Sequence, residues 1–335
     1  MNVSLFRDAI SPQFWLARRA TLAVAFAAGV LAAPLLAADE SLASLRAQDE
    51  RLLRIVEPIM ARNAPLCDRT MPGLGVALQS ADQYSPEAHP SFASPVAFAA
   101  VLPGSAADRA GIERDDGLVS IDGQAVAKRP DLQGSPLRDS AFAMLADHPA
   151  GTPLVLGVVR AGEERQVTVP VQPECLALVE ILAGDGDDAR SDGRVIQIEF
   201  GLASRANDEQ VAVVFAHELA HSILHHRDRL SAADVKKGLL GEFGRNRRLN
   251  LQAEQEADRL SVYLLANAGI DPRAAPAFWR AKLGRSLGGG IFHDGKHLSA
   301  KARARMLDEE IATGLSGATP AYPAELLAQR DRPMR

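Results

Sequence analysis

The chain has 335 residues, 47% apolar and 24% charged, enough for two ordinary folded domains and a leader. Lys and Arg number 37 against 42 Asp and Glu, a net charge of −5 with no long basic run, which argues against nucleic acid as a partner. No glycine-rich nucleotide loop and no Ser or Cys nucleophile motif occurs, so no nucleotide cofactor is expected.

Residues 1–38 read as a signal peptide. Arg18 and Arg19 precede an uncharged, Ala-rich run from Ala20 to Ala38, Ala37 and Ala38 suit a signal-peptidase cut, and Asp39 and Glu40 follow. The run is interrupted by Pro34 and barely long enough to span a bilayer, so cleavage and a periplasmic or otherwise exported location are expected. Membrane association through an uncleaved leader is the alternative. In the next segment, 39–87, Leu42, Leu45, Leu52, Leu53, Ile55, Val56 and Ile59 recur at helical spacing, which predicts an amphipathic helix over 41–63.

Residues 88–172 form a second module by pattern. VAFAAVL (96–102) reads as a strand, SAADRAGI (105–112) as a short helix capped by Ser105, and GLVSIDG (117–123) as a strand closed by an Asp-Gly turn. Residues 136–147 read as a helix, and 153–160 and 165–171 as strands around Ala161-Gly162. This order, with the block VLPGSAADRAGIERDDGLVSIDG, resembles a bacterial PDZ domain. The sequence departs from that family at Asp115, where Gly is usual, and keeps the usual Asp at Asp116. Such a fold binds extended peptides as an added strand. GLGV (73–76) resembles the family's carboxylate-binding loop but lies far upstream of the module.

Residues 173–317 differ in character. CLALVEIL (175–182) and RVIQIEFGL (194–202) read as strands separated by a polar turn, AGDGDDARSDG. A long helix is predicted from about Asn207 to His226, and others over 250–268, 272–284 and 299–314, with a Gly-rich loop at 287–296. The tail, 318–335, is rich in Pro and Ala and is expected to pack loosely. Cys67 and Cys175, the only two cysteines, are expected to bond in an oxidising compartment. That bond would tie together the ends of the PDZ-like segment and make it an insertion.

NDEQVAVVFAHELAHSILHH places HExxH on an apolar helix that Asn207 caps, with Gln210 three residues on. Positions i and i+4 share a helix face, so His217 and His221 can offer imidazole nitrogens to one zinc ion. Glu218 can then take a proton from a water activated there. Of the downstream acids, Glu254 and Asp258 share a face, whereas Glu256 points away and is expected to be solvated. His225 and His226 read as cations near a helix C-terminus. RVIQIEFGL is the candidate edge strand for pairing with substrate.

The metzincin pattern is absent, since Leu224 and Arg227 stand where its Gly and third His would be. HELAH, then EQEAD, then LLANAGIDPRAAPAFWRAKL, resembles the HtpX and BepA type of zinc endopeptidase, with its CAAX-prenyl protease and Oma branches. The resemblance implies that Glu254 is the third zinc ligand and that Asp258 holds a ligand His in its tautomer. It also implies an oxyanion contact from His297 or Arg303, in KHLSAKARARM, where Leu298 replaces the usual Pro and His293 or Arg305 are alternatives.

The expected fold is α+β: a mainly helical, zincin-like metallopeptidase domain with a small sheet, interrupted by an inserted PDZ-like β-domain. The expected function is zinc-dependent hydrolysis of polypeptides, with misfolded or unassembled envelope proteins as substrates recruited by the PDZ-like module. The rivals are a PDZ-based binding or chaperone-like protein with a closed peptidase site and a non-peptidase metal hydrolase.

Overall fold

A computed structural model describes residues 20–84, 92–235, 244–287, 298–315, 317 and 320–334. Two compact units divide at 44/45, and helix α1 (Ala20–Arg62) begins in the first and ends in the second. No helix among the described residues is long and apolar enough to cross a membrane.

The second unit has two main apolar clusters. In the part of α1 inside it, Leu52, Val56 and Ile59 are buried, one face of the predicted amphipathic helix. After the helix come strands β1 (Thr70–Gly73) and β2 (Val76–Ser80), then β3 (Val96–Val101), helix α2 (Ala106–Arg109), β4 (Gly117–Ile121) and β5 (Gln124–Ala125). Helix α3 (Leu137–Ala146), β6 (Leu154–Arg160), β7 (Glu163–Val169) and β8 (Gln172–Cys175) complete this half. The six-stranded sheet has the order β2-β3-β4-β6-β7, with β5 paired to β4. Its edge strand β2 lies upstream of residue 88, so the sheet begins earlier in the chain than the sequence pattern suggested. GLGV leads straight into that strand: Gly75 has φ +68, its carbonyl accepts from Leu102 N–H, and that of Leu74 accepts from Ala107 N–H.

Asp115 also adopts a left-handed conformation, φ 69, which explains why glycine suits the position. Its carboxylate takes Arg46 of α1 at 2.8 Å, a contact that glycine could not make. Asp116 caps the turn by accepting from Glu113 N–H, and Arg160 pairs with it at 2.6 Å.

The other half contains β9 (Leu178–Leu182), β10 (Ala189–Ser191), β11 (Val195–Glu199), α4 (Phe200–Arg205), α5 (Asp208–Ile223), α6 (His226–Ala232) and α7 (Gly244–Asn267). Helices α8 (Ala274–Arg280), α9 (Lys282–Leu287), α10 (Ala300–Gly314) and α11 (Ala324–Leu327) follow. The three-stranded sheet has the order β10-β11-β9, with β11 parallel to β9 and antiparallel to β10. Two expectations are corrected here. RVIQIEFGL supplies the central strand, not an edge, and the polar turn contains the edge strand β10. The tail is not loose either: Leu326, Leu327 and Met334 are buried, and Arg330 donates to the Leu66 carbonyl at 2.6 Å.

Strands β1 and β8 form an antiparallel stem in which Thr70 pairs with Cys175, and the Cys67–Cys175 disulfide closes it. The stem is the chain's entry to and exit from the six-stranded sheet. Beyond it the halves share core: Leu178 and Val195 pack with the PDZ-like cluster, and Leu53 packs on Ala77 and Ala100.

The seam also holds buried polar groups. Asp49 accepts from Ile181 N–H at 2.8 Å and from Gln79 Nε2 at 2.9 Å, while Glu180 takes Arg138 and Gln197. Burial pushes the Asp49 carboxyl up to about 7, against the lowering effect of the Ile181 N–H. A carboxyl with a folded pKa above its ordinary 3.8 stabilises the fold fully below that pH and loses this contribution as pH rises through 7. Asp49→Asn stays neutral, but one of its ends is an amide N–H2 where the carboxylate accepts from Ile181 or Gln79, so the expected result is a difference in pH dependence: between pH 4 and pH 8 wild type should lose roughly 1–4 kcal/mol more stability than the variant. Urea denaturation at the two pH values measures it; equal losses in the two proteins would contradict the assignment.

Candidate active site

Helix α5 starts from a reciprocal cap: the Asn207 side chain accepts from Gln210 N–H at 2.9 Å, and the Gln210 side chain accepts from Asn207 N–H at 3.0 Å. Val211, Ala212, Phe215, Ala216, Leu219, Ala220 and Ile223 are buried along it. The helix stops earlier than predicted, because Leu224 closes it and His225 turns left-handed at φ 53. The chain restarts as α6 with His226 as its first residue.

His217 and His221 stand one turn apart on α5, facing Glu254 of α7. The Nε2 atoms of the two rings lie 3.1 Å apart, and Glu254 oxygens lie 3.4 Å from His217 Nε2 and 3.5 Å from His221 Nε2. Tetrahedral coordination by N and O at about 2.0–2.2 Å spaces donor atoms about 3.3–3.6 Å apart. The two Glu254 separations fall in that range and the 3.1 Å between the imidazoles is slightly shorter; among the described residues these three side chains form the group able to hold a metal. The electrostatics ask for positive charge at the same point. Burial lowers the His217 ring, yet Asp258 and Glu254 outweigh it and push it up to about 10, whereas burial holds His221 well below the ordinary imidazole range.

Glu218 is buried on the wall of a cleft of about 700 Å³ that also contains the three donors. Burial pushes its carboxyl up to about 7. Asp258, on the same α7 face as Glu254, lies 3.1 Å from His217 Nδ1. Its other partner is Arg303 of α10, whose Nε donates to it at 2.6 Å, and whose guanidinium lies 3.6 Å from the Trp279 ring centroid. Arg303 borders the cleft, where its guanidinium pairs with Asp258 and one of its terminal nitrogens lies 3.4 Å from His217 Nδ1. Arg305 points away and is exposed beside Glu309. His297 and His293 lie outside the described residues.

Three features escaped sequence reasoning. Glu256 is not solvated: it is buried and accepts from Arg229 at 2.7 Å and Gln252 at 2.7 Å. Burial pushes its carboxyl upward, but bonds from His226, Arg229 and Gln252 outweigh this and bring it to about 2. His226 is not a solvated cation but is buried behind His221, and burial lowers its pKa. His225 bonds instead to Asp68 at 3.0 Å. The third is β10, whose residues Ala189, Arg190 and Ser191 line the cleft; Ser191 Oγ meets Ser222 Oγ of α5 at 2.8 Å. The HExxH pattern carries no sign of β10, because three residues in a Gly- and Asp-rich stretch show no periodicity.

Comparison with known proteins agrees with this geometry in part. Residues 98–135 match the family model of the PDZ domain. The mitochondrial metalloendopeptidase OMA1 of Arabidopsis thaliana is 31% identical over 137 residues, covering 34% of this chain and 27% of that protein. The match therefore spans about a quarter of the length of the curated relative. Together they support a PDZ-containing metallopeptidase and do not single out the HtpX and BepA type.

Proposed function

We propose that this chain is a zinc-dependent endopeptidase of exported polypeptides, with His217, His221 and Glu254 as ligands and Glu218 as base. The convergence of two imidazole nitrogens and one carboxylate within 3.1–3.5 Å carries the reading. Bound zinc would supply Lewis acidity toward the scissile carbonyl and the attacking water. Glu218 takes the proton of that water and returns it to the leaving amine. Asp258 keeps the His217 proton on Nδ1, so that Nε2 presents its lone pair, and Arg303 locks that carboxylate in place. Strand β10, at the end of its sheet, offers unpaired backbone groups to an extended substrate beside the cleft, a backbone reading that favours broad specificity.

The PDZ-like module recruits substrate in the fuller form of this reading. Its two sheet edges are unequal. The flank of β2 is packed by the chain's own Leu53, Met60 and Leu178, leaving about 20 Å³, whereas most of β7 is exposed. Peptide addition is therefore assigned to β7. The leader-like segment and the disulfide support an exported setting, in keeping with a role on misfolded or unassembled envelope proteins.

Purified protein is expected to hold one zinc per chain and to degrade an unfolded casein-type substrate. A chelator such as 1,10-phenanthroline should stop digestion, and added zinc should restore it. Chelator-insensitive digestion, or protein without stoichiometric metal, would sink the proposal.

A further inference from the structure

We infer that His226, held by Glu256, is a positioning residue for the metal centre: it determines which ring nitrogen of His221 faces the ion. The inference rests on the metallopeptidase reading above.

The left-handed turn at His225 ends α5 and swings the next ring back toward the ligands. His226 is 1% exposed, and its ring meets that of His221 edge-on with centroids 4.8 Å apart. The Nδ1 atoms of the two rings are 2.9 Å apart. Two imidazole nitrogens at that separation share one proton, with one ring donating and the other accepting. His221 turns its Nε2 toward Glu254 and His217, so as a neutral ligand it must carry its proton on Nδ1. The His226 Nδ1 is then the acceptor, and the His226 proton sits on Nε2, which lies 3.1 Å from a Glu256 oxygen. Glu256 is fixed in turn by Arg229 on that same oxygen and by Gln252 on the other, at 2.7 Å each.

Each step admits one direction of donation, so the tautomer of His221 follows from a carboxylate two residues removed in the chain of bonds. The two ligand histidines are thus supported differently. A carboxylate reaches His217 directly, through Asp258, whereas His221 is reached through a second imidazole. Without the acceptor, a buried N–H of His221 has no partner, and the competing tautomer turns an N–H toward the ion. A histidine buried only to fill space would stabilise the fold but would leave the tautomer of His221 free.

Long-range ¹H–¹⁵N spectra of the histidine rings in zinc-loaded wild-type protein test this without any substitution. The expected result is His221 protonated at Nδ1 and His226 protonated at Nε2. A His226 ring protonated at Nδ1, or at both nitrogens, would overturn the inference. In chelator competition, His226→Phe is expected to bind zinc about 10–100-fold more weakly than wild type. His226→Gln, whose amide keeps an acceptor and a donor, should recover most of that loss. Wild-type zinc binding with His226→Phe within threefold of it would overturn the positioning role alone. A wild-type protein without zinc would overturn the metallopeptidase reading as well, so the two failures are distinct.

Discussion

Glu218→Gln protein is expected to keep its zinc and lose peptide-bond hydrolysis by roughly 10²–10⁴-fold in kcat/KM, the usual contribution of a positioned base. The glutamine has nearly the same volume in a buried site, so folding and the three ligands should be undisturbed. What disappears is the group able to take a proton from water and pass it to the leaving amine. The carboxyl is well suited to that exchange, since burial brings its pKa to about 7 and a nearby cation would draw it lower. Metal analysis together with steady-state digestion of an unfolded substrate measures both halves of the prediction. Activity within tenfold of wild type, with zinc retained, would show that another group is the base. The same variant separates the reading from a binding or chaperone-like role, which should survive the substitution.

The Cys67→Ser, Cys175→Ser double variant should be less stable than the oxidised wild type by roughly 2–5 kcal/mol. The bond joins residues 108 apart in sequence, and the entropy released in the unfolded chain grows with the length of the loop. It also sits at the open end of the β1–β8 stem, where the whole PDZ-like segment leaves and re-enters the half that carries the candidate site. Losing it should lower the thermal midpoint by roughly 3–8 °C for a chain of this size. Because Leu178, Val195 and Leu53 still join the two halves, the variant should unfold in one transition rather than two. Thermal unfolding of wild type with and without reductant, beside the double variant, checks this. Midpoints within 1 °C would mean that the shared core alone holds the seam.

Much of the site was legible because it is local. His217, Glu218 and His221 lie within one and a half helical turns, and the cap at Asn207 and Gln210 announces the helix that carries them. Glu254 and Asp258 were paired by the same i, i+4 rule on α7, with the role of each supplied by family resemblance. The strands of the PDZ-like sheet were read from alternation and turn residues, and those cues are local as well. Arg303 was found by resemblance, but its partner was not: a sequence shows a cation and does not show that Asp258 holds it at 2.6 Å.

By itself, then, the sequence determined the HExxH helix, the facing acidic helix, the cysteine pair and the alternating strands of the inserted module, since each is written in the spacing of neighbouring residues. Only the tertiary structure decided that Glu256 is buried and His226 stands behind His221, that β10 is the strand beside the cleft, and that β2 belongs to the sheet of residues far downstream. Those outcomes depend on which surfaces meet when the halves pack. Burial reverses the expected fate of a charged side chain once a distant partner such as Arg229 or His226 is brought within bonding distance.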